Sequence, residues 1–205
     1  MVTNMEVFET GKNNEQPAAK AEPIRSGDGL TPEEMYAKGM EKYNAGEYSD
    51  ALVWFEKAAE QGDDKGQFYC GAMYHHGIGG TSEDMEKALM WYEKAAEQGN
   101  AEAQVWYGHI YYWGEGRSED KEKALMWYKK AAEQGDALGQ VRYGEMYYNG
   151  EGTSEDKAKA LMWYKKAADG YVGVGISVEP SSGPGFGASI CTATVKERRK
   201  IRKKR

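Results

Sequence analysis

The chain has 205 residues and a formal net charge of −6, with 40% hydrophobic and 29% charged residues, a composition typical of ordinary globular proteins. No apolar run approaches the roughly 20 residues that a membrane-spanning helix needs, and no basic-then-apolar stretch near Met1 indicates a secretory signal. The two cysteines, Cys70 and Cys191, are too few for a disulfide framework or a metal knuckle. These features predict a cytoplasmic location.

A repeated hexapeptide dominates the middle of the chain. Lys-Ala-Leu-Met-Trp-Tyr occurs three times, starting at Lys87, Lys123 and Lys159 with 36 residues between successive starts. A more divergent copy at residues 50–55 begins 37 residues before the first. A fixed period in this range indicates a solenoid, whose units cannot bury their apolar faces alone. The sequence therefore predicts an all-α solenoid of about four helix-turn-helix repeats.

The chain divides into seven segments, and the terminal ones are expected to be disordered. In order they are a polar leader, four repeat units, a Gly/Ser-rich segment and a basic tail. Their ranges are 1–30, 31–63, 64–100, 101–136, 137–169, 170–195 and 196–205.

Helix start and stop signals support this division. Thr31, Pro32 and Glu34 predict the start of the first helix through an N-cap, a proline in the first turn and a capping box. The Ser-Glu-Asp triplet at 118–120 predicts the start of a second helix within a unit. Gly135 predicts the end of that helix, because glycine adopts the left-handed conformation at little cost.

Small and aromatic residues recur at fixed positions of the repeat. Gly71, Gly108 and Gly144 are one such set, and a helical glycine costs about 1 kcal/mol relative to alanine. Close helix packing would recover that loss. One position of the second helix carries a tryptophan in all four units, which predicts a structural ladder: Trp54, Trp91, Trp127 and Trp163.

The spaced pattern Gly-x-x-Tyr, Gly-x-Gly, Asp-x-x-Lys-Ala, Trp-Tyr-x-Lys-Ala-Ala and a closing Gly resembles the Sel-like repeat, a variant of the tetratricopeptide repeat. Units 64–100, 101–136 and 137–169 match it closely. Unit 31–63 lacks the Gly-x-Gly turn and looks closer to an ordinary tetratricopeptide repeat. The resemblance implies a scaffold or adaptor that binds a partner protein or peptide, with no cofactor and no small-molecule substrate.

Similar proteins line their concave surface with the first helix of each unit, so we expect the partner there. The side of that helix opposite the expected core follows the spacing i, i+3, i+4, i+7. Its candidate binding residues are Tyr69, Met73, His76, Trp106, His109, Ile110, Trp113, Arg142, Glu145, Met146 and Asn149, with Ala72 between them. Trp106 and Trp113 have the character of an interface hot spot. The alternative is that either tryptophan packs against the neighbouring unit.

Patterns for catalysis and metal binding are weak. The chain has no Gly-x-Ser-x-Gly elbow, phosphate loop or His-Glu-x-x-His, so we expect no enzyme. Some Sel-like proteins have been called β-lactamases, but those place a cysteine pair in each repeat, and this array contains only Cys70. His76, His109 and Glu145 fall on one stripe, yet with helix axes about 8–10 Å apart a shared ion would require favourable rotamers of these side chains. No metal is predicted.

The basic tail offers a different function. Lys196–Arg205 contains eight basic residues and one acid, a local charge of +7 that leaves −13 for the rest of the chain. Such a tail predicts salt-sensitive contact with a polyanion, either nucleic acid or an anionic membrane. The alternative is loose association with the chain's own acidic body. The oligomeric state is left open.

Overall fold

The computed structural model describes residues 29–170. Within this range the chain is all-α, without strands, and forms four helix pairs, which confirms the predicted solenoid. The helices are α1 Pro32–Asn44, α2 Tyr48–Glu60, α3 Asp64–His75, α4 Met85–Glu97, α5 Ala101–Trp113, α6 Lys121–Glu133, α7 Ala137–Asn149 and α8 Lys157–Gly170. The predictions for residues 1–28 and 171–205 lie outside the described residues.

The stacking order distinguishes an inner and an outer side. Each helix packs against the next one in the chain, and α5 also packs directly against α7. No two second helices (α2, α4, α6, α8) make a comparable contact in the described part. The direct contact between α5 and α7 favours the first helices as the inner side of the array.

Caps define the helix starts that the sequence predicted. The Thr31 hydroxyl accepts a hydrogen bond from the Glu34 amide at 3.2 Å, and the Thr31 amide donates to the Glu34 carboxylate at 2.8 Å. In the Ser-Glu-Asp triplet the aspartate is the cap, since Asp120 accepts from the Lys123 amide at 3.0 Å. Gly135 follows α6 with a φ of +92°, in the left-handed region.

The helical glycines of the first helices seat aromatic rings of the second helices. A Cβ built on Gly108 would lie 2.7 Å from the ring of Tyr128, and one on Gly71 would lie 2.7 Å from the ring of Tyr92. Such contacts are closer than real Cβ atoms allow, so only glycine fits. The four pairs are Gly39 with Phe55, Gly71 with Tyr92, Gly108 with Tyr128, and Gly144 with Tyr164.

Each tryptophan of the ladder directly precedes the ring that packs on a glycine in α4, α6 and α8, and the ladder is structural, as predicted. Trp91, Trp127 and Trp163 are buried, whereas Trp54 in the leading unit is half-buried. Trp127 meets the ring of Tyr107 edge-on, with 5.3 Å between centroids. Lysine ammonium groups cover the rings from outside, at 4.6 Å over Trp91, 3.7 Å over Trp127 and 4.0 Å over Trp163.

Buried glutamines tie successive units together. The side-chain amide of Gln104 donates to the carbonyl of Ala96, in the preceding unit, at 3.1 Å. Its oxygen accepts from the side-chain amide of Gln134, at the end of its own unit, at 2.8 Å. One side chain therefore links α4, α5 and the end of α6, and Gln67 makes the equivalent contacts with Ala59 and Gln98.

The glutamine ladder is incomplete in the last unit. Gln140 donates to the carbonyl of Ala132 at 3.3 Å, but its buried oxygen has no partner among residues 29–170. The position equivalent to Gln98 and Gln134 is occupied by Gly170. A buried acceptor without a donor costs about 1–3 kcal/mol.

We therefore expect Gly170→Gln to raise the free energy of unfolding by about 1 kcal/mol beyond the gain from Gly170→Ala. The alanine variant is the matched control because a Cβ at this position meets nothing within 4 Å, so it reports helix propensity alone. Chemical denaturation of the three proteins measures the difference. Equal stability of the glutamine and alanine variants would show that Gln140 needs no donor there.

Candidate interaction surface on the first helices

Three of the predicted partner-binding residues are buried, and the prediction was wrong for them. Met73, Ile110 and Met146 are 1%, 0% and 1% exposed. The stripe spans about 100° of the helix, but α3, α5 and α7 each pack against a second helix on either side. The solvent-facing arc is therefore narrower than the stripe. These three residues lie at its edge and belong to the core.

Tyr69 and Trp106 are half-buried, each against the unit before it. Tyr69 stacks on Phe55 with 4.9 Å between ring centroids, and Trp106 lies parallel to Tyr92 at 6.2 Å and 6°. Packing against the neighbouring unit, the alternative considered from the sequence, therefore describes Trp106. Trp106 is only partly buried, so part of its ring surface stays exposed.

Two histidines extend the aromatic cluster around Trp106. The rings of His75 and His76 stack at 4.7 Å, and both meet Trp106 edge-on at 5.8 and 5.9 Å. His75 Nε2 lies 3.3 Å from a carboxylate oxygen of Glu115 in the following turn. Burial is the main reason that the pKa of His75 is lowered.

His109 is enclosed between Trp106 and Tyr128, with ring centroids at 5.7 and 5.6 Å. Burial, and then the nearby charge of Arg142, lower the pKa of His109 from 6.5 to about 4. The side chain is therefore neutral at pH 7. Arg142 forms an ion pair with Glu145 through one terminal nitrogen at 2.8 Å, while its buried Nε has no hydrogen-bond partner among the described residues.

Trp113 is the exposed aromatic residue of the predicted set, with 65% of its surface accessible. Tyr112 meets its ring edge-on at 4.8 Å, and the Lys121 ammonium lies 5.6 Å from it. Lys121 also donates to the carbonyl of Tyr112 at 2.9 Å, and the Tyr112 hydroxyl donates to Glu151 at 2.8 Å. The hydrogen bonds of Lys121 and Tyr112 therefore restrict the side chains that contact Trp113.

The ends of the neighbouring first helices carry further exposed side chains. His76 and Asn149 occupy the positions equivalent to Trp113, and both are exposed. Tyr148 is also exposed, although the sequence stripe omitted it. The sequence feature that could have indicated this exposure is the tyrosine pair 147–148, in which the first residue faces the core and the second faces solvent. We refer to His76, Trp113, Tyr148 and Asn149 as the Trp113 rim.

The described residues offer a surface rather than an enclosed pocket for chemistry. An open depression lies between α1, α3 and α5, lined by Tyr36, Asp64, Lys65, Tyr69 and Glu102, among others. No group of three His, Cys, Asp or Glu residues within 29–170 is placed to hold a metal ion. None of the helices in that range has the length and apolar character to cross a bilayer. The tail Lys196–Arg205 lies outside the described residues, so polyanion contact stays a prediction.

The lowered pKa of His109 makes stability depend on pH. The unfolded chain binds a proton at this side chain below about pH 6.5, whereas the folded chain resists protonation until about pH 4. The contribution of His109 to the free energy of unfolding is therefore fully present above pH 6.5. It is lost as the pH falls towards 4, by up to about 3 kcal/mol. Urea denaturation from pH 7.5 to 4.5 should show a smaller loss for His109→Gln than for wild type. Parallel stability curves for the two proteins would contradict the assignment.

The sequence matches the Sel1 repeat family over residues 34–63, 64–100, 101–136 and 137–171. The match includes the leading unit, which the sequence had likened to an ordinary tetratricopeptide repeat. No curated protein matches the chain. Proteins with this repeat generally act as protein-interaction scaffolds.

Two solved structures show the same architecture. One is c5321, a protective antigen of uropathogenic Escherichia coli with an SLR fold, at 35% identity and a TM-score of 0.64 over 69% of this chain and 31% of that one. The other is a Sel1 repeat protein from Oxalobacter formigenes, at 32% identity and a TM-score of 0.65 over 71% of this chain and 61% of that one. The chain thus spans less than two thirds of either structure. Over more than half of its length it carries the repeat, and it belongs to the Sel1 repeat family.

Proposed function

We propose that this chain is a scaffold or adaptor that binds a partner protein or extended peptide along the concave surface formed by α1, α3, α5 and α7. The observation that supports this most directly is Trp113, a large aromatic side chain at the end of α5 that is 65% exposed. Tryptophan is enriched among the residues that dominate binding energy.

The support beneath Trp113 favours binding. Lys121, 3.2 Å from the ring centroid of Tyr112, and the bond from Tyr112 to Glu151 restrict the side chains next to the tryptophan. Binding to a side chain that is already ordered loses less conformational entropy. The apolar ring suits an apolar side chain of the partner, while His76 and Asn149 of the Trp113 rim offer hydrogen bonds to an extended backbone.

The half-buried residues form the floor of the proposed groove. Tyr69, Trp106 and Arg142 are half-buried, as are His109 and Glu145. They add contact area and polarity, but their removal also removes packing. The Trp113 rim is therefore where partner specificity can vary without affecting the fold.

The chemistry of the described residues supports binding rather than catalysis. Cys70, the cysteine within the array, is fully buried, and burial raises the pKa of its thiol far above the ordinary value. A protonated, inaccessible thiol is not a nucleophile. The half-buried histidines lie among aromatic rings, without a nucleophile beside them.

The two tryptophans should separate binding from stability. Trp113→Ala should abolish retention of the partner in affinity capture from the source cells, with the melting temperature nearly unchanged, because the side chain is exposed. Trp106→Ala should lower the melting temperature by several degrees, because a half-buried ring stacked on Tyr92 is lost. Circular dichroism measures the melting, and mass spectrometry identifies the retained protein.

Met126→Ala is the matched control for capture, since Met126 is also exposed but lies on a second helix. Retention that is lost with Trp113→Ala and kept with Met126→Ala supports the concave surface. Retention that survives Trp113→Ala, or a large fall in melting temperature for that variant, would overturn the proposal.

A further inference from the structure

The open depression between α1, α3 and α5 combines two aromatic rings with carboxylates. Its volume is about 480 Å³, within the range of about 300–1,000 Å³ that is typical of ligand sites. Tyr36 and Tyr69 line it, with 5.8 Å between their ring centroids and 50° between their ring planes. We call this depression the Tyr36 pocket.

Both rings of the pocket pack on the buried ring of Phe55. The centroid of Tyr69 lies 4.9 Å from that of Phe55, and the centroid of Tyr36 lies 5.9 Å from it. Burial first, then the neighbouring Tyr69, and then the charges of Asp63 and Glu102 raise the pKa of Tyr36 to about 12, so its hydroxyl is neutral at pH 7. Tyr36 and Tyr69 are only partly buried, and the face of an aromatic ring attracts a cation.

Two carboxylates lie beside these rings. Glu102 is exposed in the first turn of α5, and its charge contributes, after burial, to the raised pKa of both Tyr36 and Tyr69. Asp64 lies in the first turn of α3, and its carboxylate accepts a hydrogen bond from the side-chain amide of Asn100 at 2.8 Å. The pocket therefore offers negative charge next to aromatic surface.

A lysine of the chain approaches one of the rings from the mouth of the pocket. Lys65 is exposed, and its ammonium lies 5.8 Å from the centroid of the Tyr36 ring. This distance is near the limit of about 6 Å for a cation–π interaction, so the contact is weak and a ligand can replace it. Against Asp64 and Glu102, this one lysine leaves the lining with a net negative charge.

An anionic ligand fits the pocket poorly, although the N-terminus of α5 borders it. A helix N-terminus favours negative charge, but the side-chain oxygen of Asn100 already accepts a hydrogen bond from the Ala103 amide at 2.8 Å. Asp64 and Glu102 also lie at this end. A further anion would therefore meet two like charges, whereas a cation would meet two opposite ones.

We propose that the Tyr36 pocket binds a basic side chain of the partner polypeptide, arginine in preference to lysine. A planar guanidinium can stack on a tyrosine ring while its N–H groups donate to the carboxylate of Glu102. This inference rests on the proposed function, because the pocket and the Trp113 rim lie on the same set of first helices.

The length of α5 sets the spacing of the partner's residues. Glu102 and Trp113 are eleven residues apart in the sequence, which corresponds to about 16 Å along the helix axis. An extended chain covers that distance in about five residues. The basic residue of the partner therefore lies about five positions from the apolar residue that covers Trp113.

Two hexapeptides, acetylated and amidated, are suitable probes: Arg-Gly-Ser-Gly-Ser-Leu and the same sequence in reverse order. Added to the full-length, ¹⁵N-labelled protein, the better binder should shift the backbone amide signals of Lys65 and Glu102 saturably, with a dissociation constant of about 1 mM or tighter. The indole N–H signal of Trp113 reports the rim separately. The tail Lys196–Arg205 is present as a competitor throughout, so saturation shows that a separate polypeptide can occupy the pocket.

Matched changes in peptide and protein isolate the charge. Citrulline in place of the peptide's arginine keeps the shape without the charge and should weaken binding at least about fivefold. Glu102→Gln should have a similar effect, whereas Glu122→Gln removes an exposed carboxylate from α6 and should leave binding unchanged. Lys65→Met should tighten binding about twofold, because a competing cation is removed.

The two amide signals and the indole signal separate this inference from the proposed function. The inference alone is overturned if the Trp113 signal shifts while the signals of Lys65 and Glu102 do not. It is also overturned if the citrulline peptide, or a peptide with glutamate in place of arginine, binds as tightly as the arginine peptide. Shifts at Lys65 and Glu102 without a shift at Trp113 would support the pocket and count against the Trp113 rim.

Discussion

The contact between a helical glycine and an aromatic ring sets the geometry of this array. At Gly39, Gly71, Gly108 and Gly144 the first helix has no side chain, and the ring of Phe55, Tyr92, Tyr128 or Tyr164 fills the space against its backbone. A glycine in a helix is unfavourable by itself, so its recurrence reflects packing between the two helices of a unit. With this distance fixed, the buried glutamines reach the preceding unit and the tryptophan ladder closes the outer side.

The same contact decides which residues can meet a partner. Because the rings of Tyr92 and Tyr128 lie against the first helices, residues that would otherwise face solvent, such as Trp106 and His109, pack on them. Only the ends of the first helices project beyond the rings, and Trp113 lies there. The proposed binding surface and the lowered pKa of His109 therefore share one physical origin.

The sequence was sufficient for the fold because the period, the caps and the recurring small residues all point to the same architecture. Trp127 could be assigned to the core because its position repeats in every unit. The binding stripe was harder to predict, because a helix wheel gives direction but not the distance to neighbouring helices. Ile110 and Trp113 belong to one stripe, yet one is 0% and the other 65% exposed. That difference depends on how two units stack, which no single helix encodes. The gap in the glutamine ladder at Gly170 is visible in the sequence only once the partner of Gln140 is known.

The free energy of unfolding of Gly108→Leu tests the glycine–ring contact most directly. In a helix, leucine is more favourable than glycine by about 1 kcal/mol. If helix propensity alone decided the outcome, Gly108→Leu would therefore stabilise the protein. Our account predicts a loss of at least about 2 kcal/mol, because the new side chain would have to displace the ring of Tyr128. It also predicts that Gly108→Leu costs less stability in a Tyr128→Ala protein than in the wild type, because the ring that it would displace is already absent. A Gly108→Leu protein as stable as wild type, or more stable, would contradict the account.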